Sequence, residues 1–399
     1  MKILVALPRF PYPLEKGDKL RAYHQIRTLS QRNEIYLFCV SHTPVSDEQI
    51  KAMTPYCKEI KIVRPSYAVS VFNAIRNYLR TKSLQIGYWD SKKARKECRQ
   101  MTERINPDII YSQMVRTMPW VSRLDKPKVM DFQDALSKNV ERQMEISSGI
   151  KHALLHYEFK MLRSSEYNSF KIFNDLTIIS EPDSEAIPHQ KNEEIHIIPN
   201  GVDFERFKYH EREKKYDIVF CGNMQYIPNI NASEYLIKQI MPLVWKEMPE
   251  TKVLLAGTTP KPSVKKLASQ NVTVSGWVDD ISECYAQSHI FVAPMQIGSG
   301  LQNKLLEAMA MKTPCITSPL ANNALHAEEN KEILIGRSAA EYAQHIITLL
   351  RNEQMKKSLA EKAYSFVKEN YSWEKHGNLL EEILHKASTQ PIKEKIKKY

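Results

Sequence analysis

No apolar run in this chain approaches the length a helix needs to span a bilayer, so nothing in it reads as a transmembrane segment. There is no CxxC pair either. The six cysteines (Cys39, Cys57, Cys98, Cys221, Cys284 and Cys315) are scattered, and several fall in or beside predicted strands. That spacing argues against a disulfide framework and fits reduced core thiols in a cytoplasmic protein. His/Cys clusters and DxD loops are also missing, so chemistry without a bound metal is the expectation. The opening MKILVALPRFPYP has too short an apolar length for a secretory leader and is broken by Pro8 and Arg9. It reads as a first buried strand.

The 399 residues suit two domains of ordinary size, each able to bury its own core, and the 42% apolar content is that of a soluble globular protein. The net charge of +11 asks for a partner. Nucleic acid is a candidate, but no recognisable binding motif accompanies the charge. Lys and Arg interleave with aromatic and aliphatic residues in SYAVSVFNAIRNYLRTKSLQIGYW (66–89) and IKHALLHYEFKMLRSSEYNSFKIF (150–173). One reading lays both segments on an anionic membrane surface, with Phe72, Ile75, Tyr78 and Leu79 inserting and Lys151, Lys160 and Arg163 attracting the headgroups. The other gives each helix a core face and a solvated basic face. The terminal IKEKIKKY reads as a basic end with some attraction to lipid. Under the first reading the protein is cytoplasmic and peripheral at the inner face of the plasma membrane.

Short apolar segments alternate with helical patterns along the whole chain. Strands are expected at Lys2–Leu7, Glu34–Val40, Glu59–Val63, Asp108–Ser112, Lys128–Phe132 and Leu176–Ser180. The rhythm resumes at Asp217–Cys221, Lys252–Ala256, Val272–Ser275, Ile290–Ala293, Pro314–Thr317 and Ile333–Ile335. An intervening helix over Lys19–Gln31 places Leu20, Tyr23, Ile26 and Leu29 on one face. Such alternation implies parallel sheets covered on both faces, here two in tandem, with a linker over Pro182–Asn192. Ligands in these folds sit at the carboxyl ends of the strands.

The richest segment is HIFVAPMQIGSGLQNKLLEAMAMKTPCITS, residues 289–318. A buried strand stopped by Pro294 leads into Gly298-Ser299-Gly300, where the backbone can turn sharply and approach a ligand. A helix follows at once, so its free N–H groups and positive dipole end point at whatever the loop holds. Lys304 and Glu307 lie three apart on one face of that helix. A cation for a diphosphate and a carboxylate for ribose hydroxyls suit a nucleotide.

GSGLQNKLLEAMAMKTPCITS resembles the donor-site signature of GT-B glycosyltransferases of the retaining family 4 (group 1), built round an EAMA core. Ile198-Pro199-Asn200-Gly201-Val202-Asp203, followed by Phe207, is similar to the family's PNGVD segment, which opens the nucleotide-binding domain. Gly222-Asn223-Met224, with Pro228-Asn229 behind it, is similar to that domain's first loop. RFPYPLEKGDKLRAYHQIRTL near the start resembles a branch that builds bacterial exopolysaccharide and other cell-surface glycans. The resemblance covers essentially the whole chain. It implies an α/β GT-B fold of two Rossmann-like domains whose parallel sheets face a central cleft. An acceptor-binding domain spans 1–185, a nucleotide-sugar domain 193–372, and a terminal helix with basic tail, 373–399, returns to the first domain.

The resemblance implies a hexosyltransferase that uses a nucleotide-diphosphate sugar as donor substrate, needs no cofactor, and retains anomeric configuration by same-face attack. The acceptor would be a glycan or a polyprenyl-linked sugar. Implied donor contacts are Gly222, Asn223, Gly276, Val278, Gly298, Ser299, Gly300, Leu301, Gln302 and Asn303. Lys304 would neutralise the leaving diphosphate, and Glu307 would hold the ribose. The family usually carries a second glutamate eight positions before this one, where the present chain has Ser299. The Arg and Lys that often follow the first strand of the donor domain correspond here to Asn223 and Asn229, so charge has moved to Lys304. Two alternatives stand beside this reading: a nucleotide-sugar epimerase of the same architecture, and a catalytically silent glycan- or membrane-binding protein.

In the first domain Gly17-Asp18-Lys19-Leu20-Arg21 opens a helix. Asp18 is a plausible N-cap, and Gly17, Lys19 and Arg21 read as a phosphate-receiving group for donor or acceptor, because cations at a helix start oppose its dipole. Asp131 and Asp134 end a strand. Asp134 could take the acceptor hydroxyl proton or cap the next helix, and Asp131 reads as structural.

Overall fold

The structure, a computed structural model, describes residues 1–80, 82–145, 147–298 and 300–393. The expectation on Ser299 and most of the basic tail therefore lie outside the described residues. The chain forms two compact units, Met1–Pro199 with Trp373–Tyr399, and Asn200–Ser372.

The first unit is built on seven strands: β1 Lys2–Leu7, β2 Glu34–Val40, β3 Glu59–Val63, β4 Ile109–Gln113, β5 Lys128–Asp131, β6 Asp175–Ile178 and β7 His196–Ile197. They pair in parallel in the order β3-β2-β1-β4-β5-β6-β7. Because helices cover both faces, β1 reads after exposed Lys2 as the unbroken apolar run ILVAL, buried from Ile3 onward. Two layers of core result. Leu4, Ala6, Phe38, Ile110 and Met130 face one way, and Ile3, Val5, Leu37, Tyr111 and Val129 the other. The helix Trp373–Ser388 completes the second layer with Leu380, Ile383 and Leu384. Its Trp373 ring stacks on His24 at 4.6 Å, and its Gly377 leaves room for Thr28.

The second unit contains β8 Tyr216–Cys221, β9 Val253–Ala256, β10 Val272–Gly276, β11 Ser288–Ala293, β12 Cys315–Thr317 and β13 Leu334–Ile335, in the order β10-β9-β8-β11-β12-β13, again parallel. In each sheet the chain winds outward from a central strand, then resumes on that strand's other side. The switch points lie between β1 and β4 and between β8 and β11, where loops leave the strand ends in opposite directions and open a crevice.

The strands follow the periodicity closely, with shifts of a residue or two at their ends. The added one is β7, too short to carry a periodic signal, which pairs with β6. Residues 182–192, expected as a linker, belong to the first unit: Glu181–Ala186 is a helix capped by Ser180, and the chain goes on to β7 before the unit ends at Pro199.

Candidate active site

In the second unit, segments far apart in sequence meet at the start of the helix Asn303–Ala310. Asn200, of the PNGVD segment, donates through Nδ2 to Oδ1 of Asn303 at 3.1 Å. Asn229, in the first turn of the helix Ile227–Tyr235 that follows β8, accepts at Oδ1 from the Lys304 ammonium and donates through Nδ2 to the Asn223 carbonyl at 2.9 Å. Gly222 has to be glycine for this, since a Cβ there would stand 2.7 Å from the Asn229 amide nitrogen. Gly298, with φ at +103°, brings the loop after β11 against Pro228. The elements on either side of the β8/β11 switch point are thus tied together by side-chain amides.

Lys304 Nζ lies 4.7 Å over the Phe220 ring and 3.9 Å from Met295 Sδ. Burial brings its pKa down to about 8, against the pull of Cys221 and Glu307, so the ammonium persists at neutral pH. Glu307 accepts from the Tyr285 hydroxyl at 2.9 Å. Burial raises the Glu307 pKa, while the Tyr285 bond and the charges of Arg206 and Lys304 hold it down. A cation and a carboxylate, both packed among apolar residues, can bind a diphosphate and a diol with little water to compete. Arg206 and Tyr285 were not singled out from sequence, and Asn200 and Asn229 were quoted within motifs without a contact being assigned to them. Arg206 sits just behind the PNGVD segment, which is the signal that could have found it.

The other residues that the sequence assigned to the donor side lie in the loops after β8, β10 and β11. Leu301 is buried, and Gln302 precedes the helix and bonds the Gly300 carbonyl at 2.9 Å. Asn223 accepts from the Gln225 N–H and closes the loop after β8. Gly276 ends β10 at φ +70°, accepts from the Gly257 N–H at 3.1 Å, and leads to half-buried Val278 past exposed Trp277. Among the described residues no group of three or more His, Cys, Asp or Glu side chains is placed to hold a metal ion.

The first unit corrects part of the expected phosphate site. Arg21 is 1% exposed; its guanidinium grips Asp131 through Nε at 2.6 Å and Nη2 at 3.2 Å, and its Nη1 donates to the Ile198 carbonyl at 2.7 Å. It fastens the helix Gly17–Leu29 to the sheet and does not face a ligand. Lys19 pairs with Glu15 one turn before it, at 3.4 Å. Gly17 is exposed with open space around its Cα. Asp18 is not the N-cap, a position taken by Lys16; its carboxylate receives Arg9 Nη1 at 2.7 Å.

Asp134 lies three residues beyond the end of β5, after Gln133 at φ +65°. Its Oδ2 accepts from Asn139 Nδ2 at 2.7 Å, while buried Oδ1 has no hydrogen-bond partner among the described residues. Burial first, then the like charge of Asp183, push the carboxyl up to about 6, against the Asn139 bond and the charge of Arg116. Neighbouring carboxylates hold the loop. Asp183 takes a backbone hydrogen bond from Ala135, and Glu166 accepts the Ser137 N–H at 2.9 Å. Burial pushes Glu166 itself up to about 7. The start of the helix Leu136–Glu145 is therefore capped from other elements, which leaves Asp134 available.

One helix of this unit has its faces reversed. Tyr67–Tyr78 buries Ser70, Asn73 and Asn77. Ser70 bonds His42 at 2.8 Å, Asn73 donates to the Asp90 carbonyl at 2.7 Å, and Gly87 makes room for Asn77. Outward go Tyr67, Phe72 (64% exposed), Ile75, Tyr78 and, just beyond, Leu79 (76%). The Tyr78 ring meets Tyr157 of the helix Gly149–Ile172, whose exposed Ile150 and Leu154 extend the patch. Exposed Arg80, Lys151, Lys160 and Arg163 accompany it.

Residues 215–352 match the family model described as Glycosyl transferases group 1. Over 394 residues the chain is 22% identical to the "Uncharacterized 44.6 kDa protein in cps region" of Klebsiella pneumoniae, covering 94% of this chain and 97% of the relative. The structure resembles sucrose-phosphate synthase from Thermosynechococcus elongatus with a TM-score of 0.69 at 12% identity, covering 97% and 99% of the two chains. It resembles HepE of Anabaena, solved in complex with UDP and glucose, with a TM-score of 0.65 at 14% identity, covering 97% and 100%. At such identities the likeness is one of fold.

Proposed function

We propose that this chain, whose residues 215–352 match the group 1 glycosyl transferase model and whose fold is shared with GT-B enzymes, is a glycosyltransferase that carries out the following reaction. The second unit binds a nucleoside-diphosphate sugar, with Glu307 on the ribose hydroxyls and Lys304 beside the diphosphate. The bond from the anomeric carbon to the diphosphate oxygen breaks, and the acceptor hydroxyl oxygen bonds to that carbon on the same face, so configuration is retained. The hydroxyl proton passes to Asp134, whose carboxyl ionises near the pH at which it must act. The added charge on the departing nucleoside diphosphate is met by Lys304 and by the N-terminal end of the helix Asn303–Ala310, without a metal.

The acceptor is a glycan or a lipid-linked sugar in the synthesis of a bacterial surface polysaccharide. A relative described as lying in a cps region supports the pathway, and a neighbour solved with UDP and glucose supports the donor class. The outward apolar face of the helix Tyr67–Tyr78 supports attachment to an anionic membrane, where a lipid-linked acceptor resides. No helix among the described residues is long and apolar enough to cross a membrane.

The observation that carries this reading is the convergence of Asn200, Asn229 and Tyr285 on Asn303, Lys304 and Glu307 at one helix start. A thermal-shift panel of nucleoside diphosphates and their sugars tests it, since a ligand of the folded state raises Tm by mass action. One base and one sugar should stand out. A panel in which no nucleotide moves the wild-type transition would overturn the donor assignment.

A further inference from the structure

The sequence pointed to Lys19 and Arg21 for phosphate, and the structure turns Arg21 inward. A different pair of cations occupies the crevice of the first unit. Arg9 follows β1 and Arg116 follows β4, the strands that flank the switch point, where Ala6 and Ser112 are register partners. Arg9 is partly exposed; it spends one Nη1–H on Asp18 and lies 5.9 Å over the Trp89 ring. Arg116 donates through Nη2 to Gln85 Oε1 at 2.7 Å, reaches Met114 Sδ at 3.8 Å, and leaves a buried Nε without a partner among the described residues.

Arg116 is braced from behind. Glu158 accepts the backbone N–H groups of Leu84 and Gln85 at 2.7 and 3.1 Å, which fixes the helix start that carries Gln85. Burial and then the like charge of Arg9 lower the Arg116 pKa, and Asp134, Asp18 and Glu158 raise it. Arg9 and Arg116 meet the helix Leu84–Trp89 one turn apart, at Trp89 and Gln85, and two guanidiniums so placed with most of their N–H donors unspent are arranged to share an anion. The backbone is shaped for it as well. Met114 at φ +63° and Gln133 at φ +65° hold non-glycine residues in the left-handed region just past β4 and β5, a cost that folds tolerate at binding sites.

We propose that Arg9 and Arg116 form a phosphate-binding notch in the first unit, so that the acceptor carries a phosphate or diphosphate ester whose sugar hydroxyl lies toward Asp134. The proposal rests on reading this chain as a glycosyltransferase whose acceptor binds the first unit. Two guanidiniums match a phosphate dianion better than a single carboxylate. The ester comes from one of two sources: a soluble sugar phosphate or a polyprenyl diphosphate headgroup.

Titration calorimetry on the full chain tests this with inorganic pyrophosphate, glucose 1-phosphate and farnesyl diphosphate, each added to UDP-saturated protein so that the donor site is filled. Arg9→Gln and Arg116→Gln should weaken pyrophosphate binding about tenfold or more while binding UDP as the wild type does. Arg9→Gln, at the more exposed of the two positions, keeps the test open if Arg116→Gln fails to fold. Tighter binding of farnesyl diphosphate than of glucose 1-phosphate supports the lipid-linked source, and the reverse order supports the soluble one. Wild-type affinity for all three probes in both variants would overturn the notch, as would failure of the UDP-loaded wild type to bind any of them. Absence of UDP binding in the wild type would instead count against the donor site alone, and pyrophosphate titrated into Lys304→Ala would then report the notch separately.

Discussion

Tyr285 donates its hydroxyl to Oε2 of Glu307 across 2.9 Å, fixing a partly buried carboxylate on the helix Asn303–Ala310. Glu307→Ala and Lys304→Ala should each weaken nucleotide-sugar binding by about 1.5–3 kcal/mol while the fold survives, because each removes a charge-assisted contact. Tyr285→Phe should cost less, about 1 kcal/mol, since the carboxylate remains but loses its orienting donor. Calorimetry decides. Wild-type affinity in both charge-removing variants would remove these residues from the site.

Asp134 gives a pH signature with a defined sign. Its carboxyl ionises at about 6 in the folded chain and near 3.8 when unfolded. Activity that needs the carboxylate should therefore fall as pH drops through about 6. Stability runs the other way. As pH rises from about 4 to about 6, the unfolded state ionises first, and native stability declines until the folded group also ionises. Asp134→Asn should accordingly lose about 10²–10⁴ in turnover yet gain about 1–2 kcal/mol of stability at pH 7, an advantage that vanishes near pH 4. Denaturation at both pH values, beside the rate profile, separates a catalytic carboxylate from a merely capping one.

The strand and helix of the segment 289–318 were legible in sequence because they are local and follow one another, and Lys304 and Glu307 share a face by helical spacing alone. The contacts that support them were not legible. Asn229 and Tyr285 lie 75 and 22 residues from their partners, and only the fold brings them together. Arg21 was misread for a related reason. Cations at a helix start oppose the dipole and so imply an anion, but the anion proved to be Asp131, 110 residues away and fully buried. The helix Tyr67–Tyr78 left two readings open, because periodicity reports that one face is apolar and not which face meets the protein. Gly87 and the Asp90 carbonyl, which receive Asn77 and Asn73, decide it.

The role proposed for Lys304 has a consequence for cofactor dependence. A leaving diphosphate can be stabilised by an ammonium and a helix N-terminus in place of a divalent cation. Turnover should persist in excess chelator, measured by release of nucleoside diphosphate. Complete loss in chelator, restored by magnesium or manganese, would show that the leaving group relies on a metal and that Lys304 has another role.

The reversed helix makes the membrane reading testable residue by residue. Phe72, Ile75 and Leu79 are exposed, and Arg80, Lys151, Lys160 and Arg163 lie exposed on the same pair of segments. Vesicles containing anionic lipid should sediment the protein at low salt, and binding should weaken as salt rises, because screening shortens the reach of these charges. Phe72→Glu and Leu79→Glu should reduce binding to anionic vesicles without lowering Tm, since neither side chain packs in the core. Replacing Lys151 and Lys160 by Gln should instead flatten the salt dependence, at about 1 kcal/mol for each charge near the surface. Protein that stays in the supernatant with anionic and neutral vesicles alike would sink the attachment, and the exposed face would then require a protein partner and the enzyme a soluble acceptor.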